Sequence, residues 1–474
     1  MQASGSSTLN WGSEMGVFIR IAILLYLPIV ACRAADSESA LREQFTRRTG
    51  EIVLPRGVTT LRQPLVVAGD AHDLVIRGAP GGSTLRASSR FQGKALIHVP
   101  GGTRVTLRDF AIDGNRLALE KPIGFPPSDV PFVKFYDANG IVAENARELA
   151  IENVQLRQIA NYAVLIAASR QVRLLRLRIA DSGSRNAKGR NNASGGILLE
   201  EGTEDFQVLN SKLERVRGNG IWTHSLYTSP RNKDGLIAEN EIRVTARDAI
   251  QVGHATNVRV DRNTGRQIGY PSAEVDVENQ GWPVAIDTAG NVDRSVYVMN
   301  EFEELNGKCI DLDGFHHGEV RRNRCVNTRP AIEYPYGHFG IVMNNTNPDM
   351  RSEEIVIIDN ELEGMKYGGI FVIGRRHRIE KNRMRYLNSA ECPESPRRIP
   401  CVFKVDEPDM LQSGIYVGRG AERPDPGAEN KIVDNLIMGH GMKDRCIVFA
   451  PGVARETHQL ERNICLNPPV KNSK

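Results

Sequence analysis

The sequence predicts an all-β chain, a single-stranded right-handed parallel β-helix with a short N-terminal capping helix. Three observations lead there. A small residue, then Ile or Val, then alternating apolar residues recurs ten times between Gly140 and Cys446. A second motif carrying an Asn falls between these, with its tightest repeats 22 or 23 residues apart (240 to 263, 300 to 323, 360 to 382). Amphipathic helical periodicity is missing after residue 50, which argues against α/β layers.

The elements follow in chain order. Val17 to Ala31 is the only long apolar run, and it contains Arg20 and Pro28. It is shorter than the ~20 residues of a membrane helix, so no membrane span is expected and residues 1–35 read as an export signal. Met15 is a plausible start. The end Ile29-Val30-Ala31-Cys32 resembles a bacterial lipoprotein box, which would put a lipid anchor on Cys32; the alternative is an ordinary signal cut near Ala34 or Ala35. Residues 36–50 hold the capping helix, with Ser37 or Ser39 as its cap and Leu41 and Phe45 as its apolar stripe. It would cover the edges that an open solenoid end exposes.

Residues 51–468 are the coils, and 469–474 a polar tail. Period-2 alternation in Gly196-Ile197-Leu198-Leu199, Ala249-Ile250-Gln251-Val252 or Cys309-Ile310-Asp311-Leu312 marks strands. In Ala238-Glu239-Asn240 or Ile358-Asp359-Asn360, Asn is expected at a tight bend, because it tolerates left-handed backbone angles. The longer gaps, 263 to 300, 323 to 360 and 382 to 435, are inserted loops or coils that lack the Asn. Each coil buries its apolar face only against neighbours, so the length prior of about three domains gives way to one solenoid.

Set aside Cys32, and six Cys remain in an exported chain, which suggests disulfides. Cys392 and Cys401 flank a Pro-rich stretch and would close a short loop. Cys309 with Cys325, and Cys446 with Cys465, recur at similar spacing as pairs or as buried thiols. None has the spacing of a zinc site. With 61 basic and 57 acidic residues the charge is nearly balanced, so no nucleic-acid partner is expected.

Ile52-Val53-Leu54-Pro55-Arg56-Gly57, Leu74-Val75-Ile76-Arg77-Gly78 and Val105-Thr106-Leu107-Arg108-Asp109-Phe110, with Ala111 to Asn115, resemble the N-terminal coils of the pectate-lyase-like superfamily. The resemblance implies the β-helix over about residues 50–470 and a sugar polymer lying along one parallel sheet. It is weak for chemistry, since the superfamily includes lyases, glycoside hydrolases, epimerases and phage tailspikes. The chain departs from the polygalacturonase pattern: it has no paired Asp-Asp and no Arg-Ile-Lys, and Gly439-His440-Gly441 lies several coils past the acids. That family's catalytic residues are therefore not carried over.

If the Ile after each small residue points inward, its successor points outward. The outward set is Leu198 and Glu200, Trp222 and His224, Gln251, Asp287, Asp311 and Asp313, Val342 and Asn344, then Phe371 and Tyr416. Its middle is acidic and its borders are aromatic. Asp287 and Asp311 should sit one inter-strand spacing apart, ~4.8 Å, and Asp287 and Asp313 diagonally at roughly 8 Å. The diagonal matches the ~6.5–9.5 Å carboxyl separation of an inverting glycosidase. The candidate catalytic set is Asp287, Asp311 and Asp313 with His254, His316 and His317 to orient or shuttle protons. The candidate substrate-binding set is Trp222, His224, Gln251, Trp282, Asn344, Tyr336 and His338. Tyr336 and His338 lie in a loop that would overhang the groove. A solvated acidic face is the plainer reading of any one Asp.

Three functions are expected in competition. One is an exported, monomeric enzyme hydrolysing an extracellular polysaccharide. Another is a lyase in which the Asp cluster holds Ca²⁺ and a His is the base. The last is a surface protein that only binds polysaccharide. No catalytic metal is expected at the His pair, because two adjacent His do not easily face one ion.

Overall fold

The computed structural model describes residues 38–347 and 350–468. The expected leader, Cys32, Ser37 and the polar tail lie outside the described residues. A helix covers 38–44, with Ser39 inside it rather than capping it. Leu41 and Phe45 are fully buried and join the core of the first coils. Glu38 Oε1 accepts the backbone N–H groups of Arg62 (2.9 Å) and Gln63 (3.2 Å), which ties the helix to the first coil.

Each coil then lays down three short strands, one on each face of a right-handed parallel β-helix. One coil runs Val164–Ala167 on the first face, Arg170–Leu175 on the second and Arg178–Ala180 on the third. Every one of these strands pairs in parallel with its equivalents in the coils before and after. Among the described residues the third face is a sheet of fourteen strands. The first two faces merge into one sheet, because Ile250–Asp261 and Val284–Asp293 turn the corner without a break.

The small residue of the repeat has a packing cause. A Cβ on Gly340 would lie 2.4 Å from Leu362 Cδ1, and one on Gly414 2.4 Å from Ile437 Cγ2. A large third-face side chain crosses the core and fills the place of the missing one. Where the small residue is Cys309 or Cys446, the third-face residue is Cys325 or Cys465, and each pair is a disulfide across the core of one coil. Cys325 is in register with Leu362, and Cys465 with Ile437. The Cys392–Cys401 bridge closes its loop as expected.

The Asn motif corrects the sequence reading. The left-handed residue at most of these corners is the one before the Asn: Glu239, Arg262, Met299, Arg322, Asp359, Lys381, Asp434 and Arg462. The Asn side chains instead stack into a buried ladder, Asn240, Asn263, Asn300, Asn323, Asn360, Asn382, Asn435 and Asn463, each amide donating to the next at 2.9–3.0 Å. Each of the eight also donates to a backbone carbonyl of the preceding coil, as Asn323 does to Tyr297 (2.9 Å). Only at Asn153 and Asn210 does the Asn itself take the left-handed corner. The ladder steps directly across the long gaps, so those gaps are insertions within single coils.

Candidate active site

The first-face strands hold the register that alternation predicts. Outward positions align as Leu198, Trp222, Gln251, Asp287, Asp311, Val342, Phe371 and Tyr416. A second row aligns Glu200 with His224 and Asp313 with Asn344. Outward on a sheet normally means wet, yet Gln251, Asp287 and Asp311 are only 2%, 9% and 6% exposed. Insertions cover this face.

The acids form one connected cluster. Asn219 Nδ2 donates to Gln251 Oε1 (2.6 Å), and Gln251 Nε2 donates to Asp287 Oδ2 (2.7 Å). Lys308 Nζ forms a buried ion pair with Asp311 Oδ2. Asp248 accepts the Val284 N–H at 2.9 Å and faces Arg247 at 3.4 Å. Burial pushes Asp287 well above the ordinary carboxylate range, and the nearby charges of Asp248 and Asp311 push it further. Asp248 is raised to about 6, mainly by burial. Asp313, half-buried and accepting the Thr346 N–H at 2.8 Å, is also raised to about 6 by burial. Burial works against the Lys308 charge, but the charge and hydrogen bond of Asp311 leave its pKa raised overall.

Asp248, Lys308 and Asn219 are absent from the outward set read from the sequence. Each directly precedes the small residue that opens a strand, at the corner where alternation carries no information. A scan of that one position for charge would have found Asp248 and Lys308.

Aromatic rings flank the cluster on the C-terminal side. Trp282, 38% exposed, packs on His338 at 5.3 Å and on Phe403 at 6.3 Å, and Lys308 Nζ lies 5.8 Å from its ring. These side chains and Asn344 line a cavity of about 100 Å³. Burial lowers His338 to about 3, helped by the charges of Lys308 and Lys366, so its imidazole is neutral. On the N-terminal side Trp222, His224, Arg247 and Phe125 line a cavity of about 250 Å³. Several enclosed polar atoms along this stretch make no hydrogen bond to the described residues: Trp222 Nε1, His224 Nδ1, Arg247 Nη1, Asp248 Oδ2, Asp311 Oδ1 and His338 Nδ1. Buried polar atoms normally find partners, so this concentration marks a place shaped for a polar ligand.

Other expected residues stand apart from the cluster. His317 sits in the corner leading to the second face and pairs with Glu354 (3.5 Å). His316 aligns with Asp293 beyond the first-face strand and bonds to the Gly314 carbonyl. His254 packs on Tyr227 at 4.7 Å. Tyr336 is fastened by its own N–H to Asn306 (2.8 Å). Trp222 also packs: Phe132 meets it edge-on at 5.0 Å in a second hydrophobic cluster. Glu200, Glu201 and His224 bring three metal-type donors together, but Glu200 already accepts two backbone N–H groups and Glu201 one more.

The acidic row does not fit Ca²⁺. Lys308 already supplies the positive charge at Asp311, and the Gln251 amide turns its NH₂, not its oxygen, toward Asp287.

No family model and no curated protein matches the chain. Solved structures do. The Dettilon tailspike protein is 13% identical with a TM-score of 0.51, over 89% of this chain and 65% of that one. The Streptococcus pneumoniae adhesin PfbA is 13% identical with a TM-score of 0.45, over 91% and 94%. The catalytic unit of a GH87 α-1,3-glucanase from Streptomyces thermodiastaticus is 13% identical with a TM-score of 0.47, over 70% and 62%. The chain thus spans less than two thirds of the tailspike and of the glucanase unit. At such identity the tailspike likeness establishes the fold alone. Among the described residues, no helix is long and apolar enough to cross a membrane.

Proposed function

We propose that the protein is an exported glycoside hydrolase acting on an extracellular polysaccharide at the Asp287–Asp311 row. The observation that carries this reading is two buried acids on adjacent strands in opposite surroundings. Burial and the charges of Asp248 and Asp311 push Asp287 above the ordinary carboxylate range, while Lys308 forms an ion pair with Asp311. Two carboxyl groups driven to different states by their surroundings are the requirement for splitting a glycosidic bond. Asp287 donates its proton to the glycosidic oxygen as the bond to the anomeric carbon breaks. Asp311, directly opposite on the next strand at the ~5 Å spacing of a retaining pair, bonds to that carbon as the leaving group departs; water then adds its hydroxyl to the carbon, frees Asp311 and returns a proton to Asp287. Trp282, His338 and Phe403 offer ring faces for sugar stacking. Three disulfides suit an oxidising compartment.

The test is turnover of a broad polysaccharide and oligosaccharide panel by the wild type, Asp287→Asn and Asp311→Asn. Loss of ~10²-fold or more in each variant, with glycan binding retained, is expected for an acid and a nucleophile. Binding without any turnover by the wild type would leave only the adhesion role. Absorbance of an unsaturated uronate in the products would replace hydrolysis with elimination.

A further inference from the structure

The groove is stopped at both ends. On the N-terminal side, the insertion at 116–137 crosses the first face. Glu200, on the outward row, is completely buried and accepts the backbone N–H groups of Phe132 (3.0 Å) and Val133 (2.6 Å). Phe132 then seals Trp222 and His224, with ring centres at 5.0 and 4.8 Å. The insertion is braced internally where Tyr136 donates to the Gly124 carbonyl (2.8 Å), and it is held to the body again where Asn192 donates to that of Ile123 (2.9 Å). Beneath it Val142, Leu165 and Leu198 have no exposure at all.

The C-terminal stop is built the same way. The insertion at 388–413 carries the Cys392–Cys401 bridge and is tied by Tyr367 to the Pro400 carbonyl (2.7 Å). Its Glu407, 1% exposed, accepts a hydrogen bond from Tyr416 of the outward row (2.8 Å) and pairs with Arg419 (2.9 Å). Phe371 and Tyr416 stack beneath it at 6.2 Å, 6% and 1% exposed. Each stop is fastened by a buried glutamate, so these are fixed walls and not loose loops.

Between the walls only the Gln251–Asp287–Asp311 stretch remains, flanked by cavities of about 250 and 100 Å³. Both are smaller than the ~300–1,000 Å³ of an ordinary small-ligand pocket. A polymer lying along the face would have to pass through Phe132 on one side and through Tyr416 with its cover on the other.

We infer that the site takes the ends of glycan chains, or short oligosaccharides, and does not cut within a chain. The inference rests on the hydrolase reading above and specifies its substrate. The walls set the number of units that fit, and the acids cut the one bond that the walls leave in reach.

The experiment follows the wild-type protein on soluble polysaccharides and on short oligosaccharides of the same linkage. Size-exclusion chromatography reads the polymer and product chromatography reads the fragments. The expected result is one short product from the earliest time, with the polymer peak keeping its position, and faster turnover per bond on the oligosaccharide. Early sliding of the polymer peak to intermediate sizes overturns the inference while leaving hydrolysis intact. No cleavage of any panel member overturns the hydrolase reading and this inference with it. A variant with 125–135 replaced by a Gly/Ser linker removes Phe132 and opens the N-terminal wall. A severalfold rise in internal cuts relative to terminal cuts supports the wall's role, and an unchanged ratio overturns it.

Discussion

Lys308→Met strands Asp311. The Lys308 and Asp311 side chains are only 9% and 8% exposed, and Asp311 Oδ1 has no hydrogen-bond partner among the described residues. Methionine keeps much of the lysine stem but removes the charge. Removing one partner of a buried ion pair costs about 3–5 kcal/mol. Asp287 and Asp248 share the cluster, which places the figure in the upper part of that range. Asp311→Asn in the same background removes the stranded charge, and the double variant should regain most of the stability. Urea unfolding of the wild type, both single variants and the double variant at pH 7 measures the coupling, expected at about 2 kcal/mol or more. The same proteins assayed on the cleaved glycan should show Lys308→Met down ~10²-fold or more, because Asp311 loses the cation that faces its carboxylate for attack. Additive effects, within ~0.5 kcal/mol, would refute the ion pair. Full turnover in a destabilised Lys308→Met would refute Asp311 as the nucleophile.

Other outcomes are expected elsewhere. Asp248 is raised from 3.8 to about 6 in the folded chain, a penalty of about 3 kcal/mol once the pH exceeds both values. The stability this proton gives is fully present only well below 3.8 and is lost as the pH rises through 6, so the wild type should lose about 2 kcal/mol more than Asp248→Asn between about pH 4 and 7. Parallel melting curves for the two would contradict this. Asn323→Ala removes an acceptor of two hydrogen bonds from Asn300 and donors to Tyr297 and Asn360. Amide exchange should show about 3 kcal/mol or more of lost protection around that coil, against ~0.5 kcal/mol for the exposed Asn257→Ala. Cys325→Leu alone overpacks against Cys309, costing about 1–3 kcal/mol beyond the lost bridge. Cys309→Gly with Cys325→Leu copies the Gly340–Leu362 arrangement and should remove that excess, as read by thermal melting.

Much of the fold is legible in the chain because a solenoid repeats its own rules. Alternation from Ala285 through Asp287, or Cys309 through Asp313, sets inside and outside, and stacking then aligns one coil with the next. The cap helix is legible from Leu41 and Phe45. What stays hidden arises where no period operates. Asp248 and Lys308 sit at corners. The insertions at 116–137 and 388–413 have no periodicity, so nothing in them announces that Phe132 or Glu407 reaches an outward row. The Asn motif is visible, but its cause is not: a left-handed corner and a stacked amide favour the same residue type, and only the coordinates separate Asn210 from Asn240.

The disulfides across the core have a mechanical consequence. Each ties a coil to itself and none ties two coils together, so cohesion along the axis rests on hydrogen bonds and packing. Under tension a 22- or 23-residue coil coming off the stack would lengthen by roughly 75 Å. The Cys309–Cys325 and Cys446–Cys465 bridges, spanning 16 and 19 residues, withhold most of that length. Oxidised, the C-terminal coils peel in short steps and stay compact as rings; reduced, each pays out nearly its whole contour.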